Sequence, residues 1–262
     1  MSLLTQEQKK FYYKNGFLIV KEVIDEESCD FFYENIKKFS NDNYSAIMNP
    51  DRFDFLISQS FQNLNKFNFL RERVSYLEEA KAVSKMCKKL LKNPKAVQIL
   101  EELQNKEVCG LMTQMLFKEA GSKYSTQAWQ PHQDNAYPKN KNGQYITINF
   151  FLKKATKDNG SIYAFKSSHL GGIYEHEEKP SYREKVGSNP GNTIPDKILL
   201  NFERVDLSFD KGDMLVLHGD CVHGSYPNHS KRSRPLFSCS YITKGESFIP
   251  GKNAQRKIID LH

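Results

Sequence analysis

The sequence predicts an α+β fold, with helices gathered in the first third and a β-sandwich or barrel in the remainder. Three observations carry that expectation. Runs with helical spacing dominate residues 1–107. At least five short apolar runs, separated by Gly, Asn, Asp and Pro, follow over 108–262. The chain also holds 18 Phe and 13 Tyr, an aromatic content that suits a β-rich core.

The elements read as follows. "TQEQKKFYYKNG" is a helix, with Thr5 as its N-cap and Gly16 just past its C-terminus. "FLIVKEV" is a short apolar strand. "DEESCDFFYENIKKF" is a second helix, capped by Asp25, with Cys29, Phe32 and Ile36 at helical spacing. Residues 41–72 are irregular and read as a long loop. "SYLEEAKAVSKMCKKLLKN" and "PKAVQILEELQ" are helical again. Strands are expected in "EVCGLMTQMLFKE", "QYITINFFLKKA", "GSIYAF", "DMLVLHG" and "RPLFSCSYIT". The tracts "KDNG" and "FDKGD" are turn signals between them. No internal repeat or linker interrupts the 262 residues, so 1–262 reads as one domain, 1–107 as helical support and 108–262 as the β core.

Composition narrows the function. No apolar run approaches the roughly 20 residues that cross a bilayer, and no basic-then-apolar leader opens the chain. The five cysteines are scattered and odd in number, with no CxxC spacing, which fits a reduced, cytoplasmic protein. The net charge of +7 comes with no basic stripe interleaved with aromatics and no nucleic-acid motif. A nucleic-acid or membrane partner is therefore not expected. An anionic or carrier-bound small-molecule substrate is compatible with the charge.

One stretch carries chemistry. In "WQPHQDNAY", His132 and Asp134 are two residues apart, so on an extended chain both project from one face, with Gln130 beside them. An imidazole and a carboxylate converging on one point suit a divalent first-row metal, but two ligands are too few. Candidates for a third lie in "KGDMLVLHGDCVHGSYPNHSKRSRPLFSCSYI", at His218, His223 and His229. A strand, a turn, a histidine and a second strand follow one another there. In a barrel, that layout lets a late histidine face a mid-chain strand. Two imidazoles and one carboxylate would make a facial triad with open positions, the ligand set of non-haem Fe(II) oxygenases.

Four segments, in this order, resemble the phytanoyl-CoA dioxygenase-like family of Fe(II)/2-oxoglutarate-dependent oxygenases. "LTQEQKKFYYKNGFLIVKEVIDEESCDFF" is similar to the family's opening, and "MLFKEAGSKYSTQAWQPHQD" to its approach to HxD. "ATKDNGSIYAFKSSHLGG" is similar to its ENG…PGSH…G segment, and "GDMLVLHGDCVHGSYPNHSKRSRP" to its distal GD…HxS…NxS…R element. The resemblance implies a double-stranded β-helix (jelly-roll, cupin-like) core flanked by N-terminal helices. It implies Fe(II) as cofactor, with 2-oxoglutarate and O2 as cosubstrates. His132, Asp134 and His223 are then the iron ligands, because the HxS…NxS…R frame begins at His223. His218 becomes a packing residue beside the site, and His169 a structural one. Arg234 and Ser225 would bind the distal carboxylate of 2-oxoglutarate, with Arg232 as the competing arginine. Gln114, Gln130 and Asn149 are nominated for the cosubstrate wall and Tyr137 for the substrate side.

The reaction implied is hydroxylation of an unactivated C–H bond with release of succinate and CO2. The carboxylate of Asp134 favours it over halogenation, since related halogenases carry a small residue there. Desaturation, epoxidation or cyclisation use the same ligands. A cupin-type metalloenzyme without 2-oxoglutarate and a degenerate binding protein are the other classes. The first is disfavoured by the Ser225–Arg234 pair, the second by the completeness of the ligand set.

Overall fold

The computed structural model describes residues 2–42, 82–121, 125–126, 128–178, 192–249 and 258–262. The irregular tract from 43 onward, the start of the helix expected from 75, and residues 179–191 lie outside that set.

The first helix forms where the caps place it. α1 is Gln6–Asn15, and its N-terminus is a closed capping box. Thr5 Oγ1 accepts from the Gln8 amide at 3.2 Å, while Gln8 Oε1 accepts from the Thr5 amide at 2.8 Å. Gly16 ends the helix at φ 82°, a left-handed conformation that favours glycine. A Cβ there would also lie 2.5 Å from His169 Nδ1, so a side chain is excluded twice over. Strand β1, Phe17–Val20, follows directly.

α2 spans Glu26–Asp42. Asp25 caps it by accepting from the Ser28 amide at 2.7 Å. Cys29, Phe32, Tyr33 and Ile36 form its buried stripe. A helical run covers 82–91. α3, Pro94–Gln104, has Asn93 as cap and Pro94 in its first turn, and buries Ala96, Val97, Ile99, Leu100 and Leu103.

Two antiparallel sheets follow. The larger contains β2 (Val108–Leu116), β4 (Tyr145–Phe151), β9 (Met214–His218) and β11 (Leu236–Thr243), in the order β1-β9-β4-β11-β2. The smaller contains β3 (Trp129–His132), β5 (Ile162–Phe165), β8 (Arg204–Asp206) and β10 (His223–Ser225), in the order β3-β10-β5-β8. A two-stranded ribbon pairs β6 (Glu177–Glu178) with β7 (Asn192–Thr193).

Strand alternation separates two layers of packing. Ile146, Ile148, Phe150, Met214, Val216, Phe237, Cys239 and Tyr241 pack with α2 and α3 on one face of the large sheet. Phe151, Leu215, Leu217 and Leu236 turn the other way and meet Ile162 and Ala164 of the small sheet. The result is helices, large sheet and small sheet in layers, the jelly-roll arrangement expected for the β core. Burial on both faces is why β4 and β9 read as nearly continuous apolar runs. The polar exceptions on the inner face, Thr147 and Asn149 of β4 and Ser238 and Ser240 of β11, are themselves buried or nearly so. All five cysteines are buried, and none is in a disulfide. Among the described residues, no helix is long and apolar enough to cross a membrane.

Candidate metal centre

Between the sheets lies a cavity of about 480 Å³, counting its open mouth. The large sheet contributes Gln114, Thr147, Asn149 and Ser238 to its wall. The small sheet contributes Trp129, His132, His223 and Ser225, and Asp134 and Arg234 complete the polar lining.

His132 ends β3. Gln133 remains extended (φ −118°, ψ 128°), and Asp134 opens a single 3-10 turn, Asp134–Ala136. The i, i+2 relation expected of a strand thus survives just long enough to put His132 and Asp134 on one side. The intervening and following amides hold the turn from behind. Gln133 Nε2 donates to the Asp220 and Gly172 carbonyls, each at 2.7 Å. Asn135 Nδ2 donates to Asp220 Oδ1 at 2.8 Å.

His223 begins β10 and pairs with His132 on one side and Ala164 on the other. The three side chains converge, with one potential ligand atom from each lying within 4.8 Å of the others. His132 Nε2 is 3.5 Å and His223 Nε2 3.8 Å from Asp134 Oδ1.

Their partners orient these groups. His132 Nδ1 is 2.7 Å from the Gln130 carbonyl, and His223 Nδ1 is 3.0 Å from that of Cys221. A carbonyl only accepts, so each Nδ1 carries the proton and each Nε2 presents its lone pair to the centre. Burial pushes His223 down to about 4 despite the nearby Asp134, so its ring is neutral at neutral pH. Burial alone would raise Asp134, but His223, His132 and the Thr147 hydroxyl together hold it well below the usual carboxylate range. Thr147 Oγ1 donates to Asp134 Oδ2 at 2.6 Å, leaving Oδ1 toward the histidines. Two imidazoles presenting Nε2 and an ionised carboxylate are a donor set that fits a divalent first-row ion.

Partners of this kind tune metal affinity typically 10–100-fold. Thr147→Val, which removes the hydroxyl but keeps the shape, should therefore weaken Fe(II) or Ni(II) binding by about 10-fold. Unchanged affinity in a calorimetric titration would mean that the hydroxyl does not orient the carboxylate.

The other expected residues separate cleanly. Arg234 is 1% exposed and lines the cavity, whereas Arg232 is exposed. Arg234 Nε donates to the Gly160 carbonyl at 2.9 Å. Ser225, Gln114 and Asn149 line the same cavity, with Ser238 paired between Gln114 and Asn149. Gln130 and Tyr137 do not line it. The parity that favoured Gln130 is broken by a bulge: His132 pairs with His223 but Trp129 with Ser225, three residues against two. Trp129 takes the wall position instead, its ring centroid 5.6 Å from that of His132. Tyr137 sits beyond the 3-10 turn, where the chain has left the strand direction. His218 and His169 stay out of the trio and lie near each other, with ring centroids 5.0 Å apart and planes tilted by 53°. His169 Nε2 contacts the Tyr13 carbonyl at 3.0 Å. His229 is exposed.

Gly224, between His223 and Ser225, has no room for a side chain. A Cβ would lie 2.4 Å from Tyr163 Oη and 2.5 Å from the Trp129 carbonyl. Gly224→Ala should destabilise the fold by about 1–3 kcal/mol, or several degrees in Tm for a chain of this size. A melting curve matching the wild type would show that β10 is not clamped between its neighbours.

A sequence model of the phytanoyl-CoA dioxygenase (PhyH) family matches residues 12–236, from the last turns of α1 to the start of β11, and takes in the His-Asp-His cluster. The chain belongs to the phytanoyl-CoA dioxygenase family. It is 25% identical to phytanoyl-CoA dioxygenase 1 of Oryza sativa subsp. japonica, covering 97% of this chain and 95% of that one. It is 23% identical to the peroxisomal phytanoyl-CoA dioxygenase of Homo sapiens, covering 99% and 74%. Among solved structures, the epimerase SnoN in complex with Fe3+, alpha ketoglutarate and nogalamycin RO has the same fold. The TM-score is 0.62 at 16% identity, over 94% of this chain and 86% of that one.

Sequence reasoning about this phytanoyl-CoA dioxygenase relative passed over Trp129 and Thr147. Thr147 was findable: it shares strand parity with Asn149 in "YITINFF", and a polar residue inside a doubly buried strand marks a lined cavity. Trp129 required the bulge, which no local signal announces.

Proposed function

We propose that the chain is an Fe(II)- and 2-oxoglutarate-dependent dioxygenase that hydroxylates an unactivated C–H bond of a small molecule. The observation that carries this reading is the shared cavity, which joins the His132–Asp134–His223 cluster to a buried arginine and a buried serine. Membership of the phytanoyl-CoA dioxygenase family supports the oxygenase class.

When bound, iron and 2-oxoglutarate supply the oxidising chemistry, coupling O2 reduction to decarboxylation of the cosubstrate to succinate and CO2. His132 and His223 would hold the metal through Nε2, and Asp134 through Oδ1. Thr147 would keep that carboxylate from rotating. Arg234 and Ser225 would hold the distal carboxylate of 2-oxoglutarate, the arginine by charge and a planar fork of donors, the serine by one hydroxyl. Gln114, Ser238 and Asn149 form a polar row across the large sheet that would line the cosubstrate's length. Trp129 closes one side of the cavity with an apolar ring that limits water. The small-molecule partner would enter from the open mouth.

The test is product analysis. Purified protein, Fe(II), ascorbate and 2-oxoglutarate are incubated with candidate metabolites under labelled O2. Hydroxylation requires one succinate per substrate turned over and one labelled oxygen in the product. SnoN, with the same fold, is an epimerase, so a product of unchanged mass or one lacking two hydrogens would reject hydroxylation while keeping the cofactors.

A further inference from the structure

One buried cation has no part in the site described so far. Lys118 lies just past β2 and is fully buried. Its Nζ donates to Ser225 Oγ at 2.8 Å and to the Tyr226 carbonyl. Its own carbonyl accepts from the Arg234 amide at 3.3 Å and from Asn228 Nδ2 at 2.9 Å. The side chain thus holds Ser225 while the backbone holds Arg234. Lys118 adopts φ 39°, a left-handed conformation costly for a residue with a Cβ. Gly160 makes room for it: a Cβ on Gly160 would lie 3.1 Å from Lys118 Cδ, and the Gly160 carbonyl is the acceptor of Arg234 Nε.

Resting on the function proposed above, we propose that Lys118 is a positioning residue for the distal carboxylate of 2-oxoglutarate, aiming the Ser225 hydroxyl and adding a second buried positive charge behind Arg234. A hydroxyl has one proton and two lone pairs. With the ammonium donating to one lone pair, the Ser225 proton is left to donate away from Lys118, into the cavity that Ser225 lines. Among the described residues, no carboxylate lies within ion-pair distance of Lys118. Burial and the neighbouring Arg234 both push Lys118 well below the usual lysine range. A buried pair of like charges is costly to keep without an anion. A carboxylate seated on Ser225 and Arg234 supplies one, and a ligand that ends in a methyl group does not.

The experiment compares two ligands on Ni(II)-loaded protein by calorimetry: 2-oxoglutarate, and 2-oxopentanoate, which replaces the distal carboxylate with methyl. Wild-type protein should prefer 2-oxoglutarate strongly. Lys118→Met should weaken 2-oxoglutarate by about 10- to 100-fold, the range for one charge-assisted contact, while 2-oxopentanoate changes by less than about twofold. Lys118→Gln, which keeps a donor for Ser225 without the charge, should recover part of the loss, and it serves as the test variant should Lys118→Met fail to fold. The losses from Lys118→Met and Ser225→Ala should be less than additive, because the serine acts through the lysine. Equal losses for both ligands, no loss, or full additivity would overturn the proposal. Arg234→Ala is the control for the underlying reading. If wild-type protein binds both ligands equally and Arg234→Ala changes neither, the distal-carboxylate pocket itself is rejected, and the role of Lys118 with it.

Discussion

His132→Ala and His223→Ala are each expected to abolish Fe(II)-dependent conversion of 2-oxoglutarate to succinate while leaving the fold intact. Both rings line a cavity rather than fill the core, so their removal exposes space already open to solvent. Each is oriented by a backbone carbonyl at Nδ1, and the Thr147 hydroxyl still holds Asp134 when one ring is removed. Loss of one of three protein ligands leaves two donors, and the remaining imidazole and carboxylate hold a divalent ion far more weakly. Turnover should fall by at least about 1,000-fold, the scale seen when one member of a catalytic unit is removed. His218→Ala is the matched control. That ring is half-buried near Tyr12 and His169, outside the trio, and its loss should act through packing. Near wild-type turnover in either ligand variant, with folding verified by circular dichroism, would remove that histidine from the metal centre.

Arg234→Ala should raise the apparent KM for 2-oxoglutarate by roughly 30-fold to several thousandfold, with metal binding retained. The guanidinium is 1% exposed, and Nε is already committed to the Gly160 carbonyl, which fixes the plane of the fork against the cavity wall. Truncating one partner of a charge-assisted contact in so dry a place costs about 2–5 kcal/mol, which converts to that range of affinity. Arg234→Lys should restore only part of the loss, because an ammonium keeps the charge without the fork. Arg232→Ala, at an exposed position two residues earlier, should be nearly silent. A large effect at Arg232 with none at Arg234 would contradict the burial argument.

The fold was legible where the chain declares its own boundaries. Thr5 with Gln8, Asp25 with Ser28, and Gly16 are short-range chemistry, and each performs in the structure as its residue type requires. Five strands of the β core, β2, β4, β5, β9 and β11, were visible as apolar runs between turn residues. The convergence of His132 and Asp134 was legible because two residues of extended chain decide it. Gln130 lies outside the cavity lining, since strand parity holds only without a bulge, and the β3–β10 register shift gives the wall position to Trp129. Lys118 was invisible for a different reason. Lysine is normally a surface residue, and the chain has 38 Lys and Arg side chains. Only the long-range contact across 107 residues to Ser225 singles this one out. Thr147 lies between these cases: its strand was recognised, but its partner at Asp134 is set by the packing of the two sheets.

Trp129 is the only tryptophan, and it stands beside His132 on the cavity wall. Its fluorescence under anaerobic titration therefore tests the central claim directly. The prediction is that one equivalent of Fe(II) per chain changes the emission, and that 2-oxoglutarate then binds and changes it further. Without metal, or in His223→Ala, 2-oxoglutarate should bind at least about 100-fold more weakly, as expected when chelation is lost. Saturation by 2-oxoglutarate at the same concentration with and without metal would contradict the assignment of this cavity as a joint iron and cosubstrate site.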